Sequence, residues 1–290
     1  MIISIASGKG GTGKTTISAS LASVWERPMT AVDLDVEEPN LHIFLKPEII
    51  SEEKVYLEVP QVDESMCNLC RKCSDLCQFK AINVMGSTLL TFPEMCHACG
   101  GCMAICPEEA ISWGRRELGT ISQGKSGRID FLMGSLRVGE AMSPPLMRAV
   151  KTKLAKDLDR SGGDAIIDAP PGVSCPAVSA VMDSDFILLV TEPTPFGFHD
   201  FKLAVEAFSP LRKSMATVIN RSGMGDEGVR KFCKERDIPI LAEIPFDRGI
   251  AGAYSRGKVV ADLSWELKSL FSALAGSIFE RNIGGQKCAR

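Results

Sequence analysis

The chain has 290 residues, 45% of them apolar and 24% charged, enough to bury a core as one large domain or as one domain with a small companion. Its formal net charge of −3 leaves no electrostatic footprint for nucleic acid or an anionic membrane surface, so no nucleic-acid partner is expected. Eleven cysteines are many for this length, and eight of them fall between positions 67 and 106.

In chain order, "MIISIAS" reads as a short apolar strand running into the glycine loop "GKGGTGKTT". "KTTISASLASVWE" follows as a helix with Ile17, Leu21 and Val24 on one face. "TAVDLD" (30–35) is a second buried strand. After a cysteine-rich stretch, "GRIDFLMGSL" is again strand-like, and "PPLMRAVKTKLAKDLDR" is a helix. Further strands are expected at 164–172, 185–193, 215–221 and 238–246, with helical patterns at 200–212 and 226–237 between them. Apolar strands alternating with helices predict an α/β fold, a mostly parallel sheet flanked by helices. Residues 59–115 break that rhythm and read as an inserted small domain. The sheet domain is then made of residues 1–58 and 116–290. No basic, apolar leader and no run of 18 apolar residues is present, so a cytoplasmic location is expected.

Gly8-Lys9-Gly10-Gly11-Thr12-Gly13-Lys14-Thr15 fits G-x-x-x-x-G-K-[ST] between a predicted strand and a predicted helix, the context this phosphate loop requires. The glycines let backbone N–H groups turn toward phosphate oxygens, and the helix N-terminus adds partial positive charge. Lys14 would reach the β- and γ-phosphates, the Thr15 hydroxyl would ligate Mg2+, and Thr16 continues the cradle into the helix. ATP and Mg2+ are the expected cofactors.

Lys9 carries a resemblance. "KGGTGK" resembles the deviant Walker A loop of the MinD/Mrp/nitrogenase-iron-protein ATPases. "VDLDVEEPN" (32–40) resembles switch I of that family, "IIDAPPG" (166–172) its switch II, and "INR" (219–221) and "PFD" (245–247) its adenine-side elements. The resemblance implies a P-loop ATPase that dimerises around nucleotide, with Lys9 crossing to the partner's site. It implies Asp35 as the acid that positions water, and Asp33 and Asp168 as acids near Mg2+. Asn220 would contact adenine, with Arg221, Pro245 and Asp247 beside it. It implies a homodimer, or a heterodimer with a paralogous ATPase.

Cys67-x2-Cys70-x2-Cys73-x3-Cys77 is followed by Cys96-x2-Cys99-x2-Cys102-x3-Cys106-Pro107, the bacterial ferredoxin run written twice. In such pairs the fourth cysteine serves the other cluster. Cys67, Cys70, Cys73 and Cys106 are therefore expected to hold one [4Fe-4S] cluster, and Cys96, Cys99, Cys102 and Cys77 the second. The first run has Gln78 where the second has Pro107, which leaves a three-iron first cluster open. Zinc suits these unbroken runs poorly, because zinc sites built from four cysteines use paired C-x2-C knuckles with a spacer. His97 is read as a neighbour of the second set. Together the features resemble a MinD-type ATPase with an inserted, ferredoxin-like α+β 2[4Fe-4S] domain.

Three cysteines lie outside the block. Cys175 follows switch II; it reads either as a small buried residue opening a helix or as a switch-linked thiol. Cys233 and Cys288 read as structural. "DLSWELKSLFSALAGSIFERNI" (262–283) is an amphipathic helix poor in Lys and Arg, so packing against the protein is expected and membrane anchoring is not. His199 reads as a surface or capping-region residue. The expected function is nucleotide-gated electron transfer from two clusters to a redox or metallocluster protein. The alternatives are an ATPase for metallocluster assembly and a spatial-organisation ATPase with a structural iron–sulfur insert.

Overall fold

Apolar runs of five or six residues are too short for stable helices but long enough to cross a sheet. In the computed structural model, which describes residues 1–287 with side chains through Arg281, such runs form its centre. The strands are β1 (Ile2–Ala6), β2 (Met29–Asp33), β3 (Glu48–Val62), β4 (Ile82–Met85), β5 (Thr88–Thr91), β6 (Ile111–Ser126), β7 (Ile129–Leu136), β8 (Asp164–Asp168), β9 (Phe186–Thr191), β10 (Ser214–Ser222) and β11 (Ile240–Pro245). The helices are α1 (Lys14–Val24), α2 (Leu41–Leu45), α3 (Lys72–Leu76), α4 (Gly101–Ala104), α5 (Ser143–Ser161), α6 (Cys175–Val181), α7 (Pro195–Phe208), α8 (Gly228–Glu235), α9 (Arg248–Tyr254) and α10 (Trp265–Lys287).

Nine strands make one sheet in the order β11-β10-β9-β1-β8-β2-β7-β6-β3. From β11 to β7 every neighbouring pair is parallel. The connections reverse direction beside β1, and in such sheets ligands bind outside the carboxyl ends of the strands at that point. Alternate strand residues feed two cores. Ile3, Ile5, Ile166 and Leu188 pack on one face with Leu21 of α1, Trp25 just after it, and Phe271, Leu274 and Ile278 of α10. Ile167, Ile187 and Leu189 pack on the other with Val150 of α5, Val181 of α6 and Phe201 of α7. The amphipathic segment at 262–283 is thus a packed helix over its described side chains. No helix among the described residues is long and apolar enough to cross a membrane.

Two long antiparallel strands extend the sheet where the sequence pattern shows only an insertion. β6 pairs with β7, and β3 pairs with β6 from Glu48–Lys125 to Val62–Ile111. The expected boundaries at 58/59 and 115/116 fall inside these two strands. Beyond them the chain forms α3, the β4–β5 hairpin and α4, with β4 and β5 as a separate two-stranded sheet. The arrangement repeats itself: strand end, cysteine loop, short helix and strand occur once through α3 to β4 and again through α4 to β6.

The β6–β7 pairing needs a glycine. A Cβ on Gly119 would sit 2.1 Å from the Ser135 carbonyl oxygen, whereas Gly276 of α10 has nothing within 4 Å of that position. Gly119→Ala should lower unfolding free energy by about 1–3 kcal/mol in urea titration. Gly276→Ala should raise it by about 0.5–1 kcal/mol. Equal stability of the Gly119 variant and the wild type would contradict this strand register.

Candidate functional site

The loop after β1 turns because Gly11 (φ 76°) and Gly13 (φ 98°) take left-handed conformations. Gly13 is also closely covered: a Cβ there would lie 2.3 Å from Asn220 Nδ2. Gly8 presses on α7, where a Cβ would come within 1.9 Å of the Asp200 carbonyl oxygen. Asn220 Nδ2 donates to the Thr12 carbonyl at 2.8 Å, which ties the end of β10 to the loop. The Thr12 hydroxyl is buried and has no protein partner among the described residues, as expected of a group that faces a phosphate oxygen.

A cavity of about 400 Å3 opens over this loop. It is lined by Gly10, Gly11, Gly13, Lys14, Thr15 and Thr16, by Asp35 from the segment after β2, and by Asn220, Arg221, Pro245 and Asp247 from the ends of β10 and β11. Phe246, inside the "PFD" element, and Tyr254 line it too; aromatic rings there offer an apolar wall for a base, and Tyr254 lies outside the motifs. Asp247 is also committed locally, accepting from Gly249 N (2.6 Å) and Ile250 N (3.1 Å) as the cap of α9.

The acids divide by role. Asp33 is wholly buried; its carboxylate accepts from Asp35 N at 3.2 Å and from Leu41 N at 2.8 Å. It holds the segment 35–41 in shape and does not line the cavity. Asp168 is buried beneath the loop, with Ser18 Oγ 3.0 Å from Oδ1. Burial raises the carboxyls of Asp33 and Asp168 above the usual range; Asp168 adds to the rise at Asp33, and Lys14 opposes it at Asp168. Asp35 is pushed up to about 6, by burial first, with Lys14 opposing. Burial pushes the Lys14 ammonium down, and Asp168, Asp35 and Asp33 oppose that shift. A surplus of buried carboxylate beside one lysine is a setting that a divalent cation would relieve.

Lys9 does not line this cavity. Its Nζ lies 2.5 Å from Oε1 of Glu192, at the carboxyl end of β9. Arg221 Nη1 holds the other carboxylate oxygen at 2.7 Å, and Thr194 Oγ1 lies 3.1 Å from Oε1. Burial alone would raise the Glu192 carboxyl, but Lys9, Thr194 and Arg221 together hold it below the usual range. The motif reading missed Glu192. The available signal was position: in "TEPTP" it ends a buried strand, as Asp33 and Asp168 do.

The eight block cysteines line two further cavities. Cys67, Cys70, Cys73 and Cys106 surround one, with Leu69, Val84, Leu89 and Ile111. Cys77, Cys96, Cys99 and Cys102 surround the other, of about 220 Å3, with Pro60, Ile82, Phe79, His97 and Trp113. His97 stacks on Phe79 at 3.6 Å between ring centroids. Left-handed residues recur at matching places in the two runs: Leu69 and Ala98, Arg71 and Gly100, Lys80 and Glu109. Such alternation curls the chain so that N–H groups point inward, and Ala98 N lies 3.4 Å from Cys96 Sγ. Among the described residues, no three His, Cys, Asp or Glu side chains converge on a single-ion site.

Cys175 opens α6 but is exposed, which removes the first of its two readings, the small buried residue, and leaves the switch-linked thiol. Cys233 is buried on α8 with Thr217 Oγ1 3.8 Å from its sulfur, and His199 is exposed. Cys288 lies outside the described residues.

The Asp35 shift has a sign that can be checked. The folded carboxyl holds its proton more tightly than the unfolded chain does. Its contribution to stability is therefore complete below about pH 4 and lost as pH rises through about 6. Asp35→Asn removes this titration. In nucleotide-free urea unfolding, the variant should gain on the wild type between about pH 4 and 6 by on the order of 1–2 kcal/mol, allowing for the partial exposure of Asp35, and then level off. A pH-independent difference would contradict the buried position of this carboxyl.

Known proteins share this framework. The family model for the CobQ/CobB/MinD/ParA nucleotide binding domain matches residues 3–260. Two uncharacterized proteins of Methanocaldococcus jannaschii are similar along most of their length. MJ0578 is 33% identical over 94% of this chain and 96% of its own, and MJ0579 is 29% identical over 89% and 90%. The septum site-determining protein MinD from Pyrococcus horikoshii, solved with Mg-ADP, superimposes with a TM-score of 0.58 at 21% identity, covering 96% of this chain and 95% of that one. At that identity the likeness shows the fold. With a family match over most of its length and a phosphate loop at the switch point of a parallel sheet, the chain belongs to the CobQ/CobB/MinD/ParA nucleotide-binding family.

Proposed function

We propose that this protein is a dimeric ATPase in which nucleotide state gates electron transfer from two [4Fe-4S] clusters to a partner protein. The observation that carries the reading is the sorting of eight thiols into two sets of four, each around its own cavity, in the segment between two strands of the sheet that carries the phosphate loop. Four thiolates are the complement of one cubane, and apolar side chains make up much of the lining of both cavities, with Asn68, Arg71, Lys72 and Glu108 also at the first. When bound, such clusters supply one-electron carriers.

The remaining roles belong to side chains of this chain. Lys14 and the loop N–H groups would hold the phosphates, Thr15 would reach Mg2+, and Asp35 would orient water at the cavity mouth. Asp168 would support Thr15 and Ser18 from beneath. Asn220, Arg221, Pro245 and Asp247 would flank the base. Lys9 is held within its own chain by Glu192, so a role across a dimer requires it to leave that carboxylate. A full set of protein ligands favours retained clusters. One thiol of each set, Cys70 and Cys99, is exposed, which offers an exit for electrons. The same exposure supports a second reading, metallocluster assembly, in which a client thiol would approach there.

Anaerobically purified protein should contain about eight iron atoms per chain. Its reduced clusters should be reoxidised by a co-purifying partner faster with Mg-ATP than with Mg-ADP. Iron-free protein, or reoxidation indifferent to nucleotide with every co-purifying partner, would sink the gated reading. Release of iron to an apo-protein on adding ATP would favour assembly instead. For the dimer, Lys9→Ala should abolish ATP-dependent association in light scattering while keeping its iron. Glu192→Gln should associate at lower ATP concentration than wild type, and unchanged association in both variants would contradict the role given to Lys9.

A further inference from the structure

Arg116 of β6 is only 6% exposed, and its guanidinium is paired with the carboxylate of Glu140. Its Nε and Nη2 are buried without an acceptor among the described residues. Idle buried donors cost free energy, and a buried ion pair is a poor source of stability. The position of this pair therefore calls for another reason, and the loop that carries Glu140 supplies one.

That loop, 137–142, joins β7 to α5 and is wound around a single carboxylate. Glu140 Oε1 accepts from Ala141 N (3.1 Å) and Met142 N (2.9 Å), and Glu140 N donates to the Arg137 carbonyl at 2.9 Å. One end is bonded to the segment that follows Asp35 of the cavity lining. Leu136 N donates to the carbonyl of Val36, the residue after Asp35, at 2.9 Å, and Arg137 N donates to Leu118 at 2.8 Å. At the other end Met142 packs into the apolar cluster that contains Cys96 and touches Cys77. Arg116 stands opposite Leu57 of that cluster in the β3–β6 ladder. The cluster around Cys73, with Cys67 and Cys106 packed on it, includes no residue of this loop; it meets the second thiol set only through Cys77 and Cys102.

We propose that the loop 137–142, clamped by Arg116 and Glu140, relays the position of the segment after β2 to the Cys77/Cys96/Cys99/Cys102 site, so that nucleotide state reaches that site first and the other only through it. This rests on the gated reading above and names which of its two sites is controlled first. Arg116 and Glu140 are positioning residues. When Asp35 and Val36 move with the γ-phosphate, the Leu136–Val36 bond pulls the loop, and Met142 shifts against the second thiol set. Packed contacts of this kind carry coupling because each element has few alternative arrangements.

The test is hydrogen exchange on the iron-loaded full chain, with Mg-ADP and with a non-hydrolysable ATP analogue. In wild type, exchange should differ between the two nucleotides at 35–41, 136–142 and 95–102, and less at 66–74. Glu140→Gln should keep the difference at 35–41 and lose that at 95–102, by about threefold or more. Met142→Ala, which leaves the ion pair intact, should do the same and serves if the first variant does not fold. A difference at 95–102 that persists in Met142→Ala, or one of equal size at 66–74 in wild type, overturns the relay while leaving the gated reading standing. No nucleotide-dependent difference at either thiol loop of wild type overturns both.

Discussion

The backbone ladder between β3 and β6 joins two chemistries in one body. One end is bonded through β7 to the nucleotide sheet, and the other frames both cysteine loops. A pair of strands held by N–H···O bonds along its length twists and bends, but it does not act as a hinge. The irregularities near Ile49 and Val55 add local twist without ending the pairing. The thiol sites therefore keep a fixed address relative to the phosphate loop. Under the proposed gating, control of those sites would come from contacts beside the ladder, or from the way two copies meet, and not from a swinging domain.

Charge is distributed unevenly at the carboxyl edge of the sheet, and for a reason. Asp33, Asp35 and Asp168 share one buried lysine, and all three carboxyls are raised by desolvation. This is a costly arrangement for the nucleotide-free chain and a favourable one for a cation and a phosphate. Glu192 occupies the same kind of position at the end of β9, yet its carboxyl is lowered, because Lys9 and Arg221 both face it. The same edge thus holds acids short of positive charge at the cavity and an acid saturated with it one strand away.

Much of this was legible in residues. The glycines of the phosphate loop, the parallel strands β1, β2 and β8–β11, and the doubling of the cysteine run all follow from local pattern, because short apolar runs and fixed spacings have few structural solutions. The division of the chain was less legible. β3, "EIISEEKVYLEVPQV", is mostly charged or exposed, as suits an edge strand, and gives no alternating signal strong enough to mark it. Half of β6 was hidden in the same way by its position after the cysteines. Leu69, Arg71, Ala98, Lys80 and Glu109 adopt left-handed backbone without being glycine, which spacing alone does not announce.

By itself the sequence determined the local chemistry: a loop that cradles phosphate, acids at strand ends, and two runs of thiols. Those depend on neighbours a few residues apart, where backbone geometry fixes the outcome. Only the tertiary structure decided how they are joined. Lys9 meets Glu192, Arg116 meets Glu140, and Val36 meets Leu136 across long stretches of chain. Such pairings arise when a twisted sheet brings distant strand ends to one edge, and no local pattern encodes which of the many possible partners will stand there.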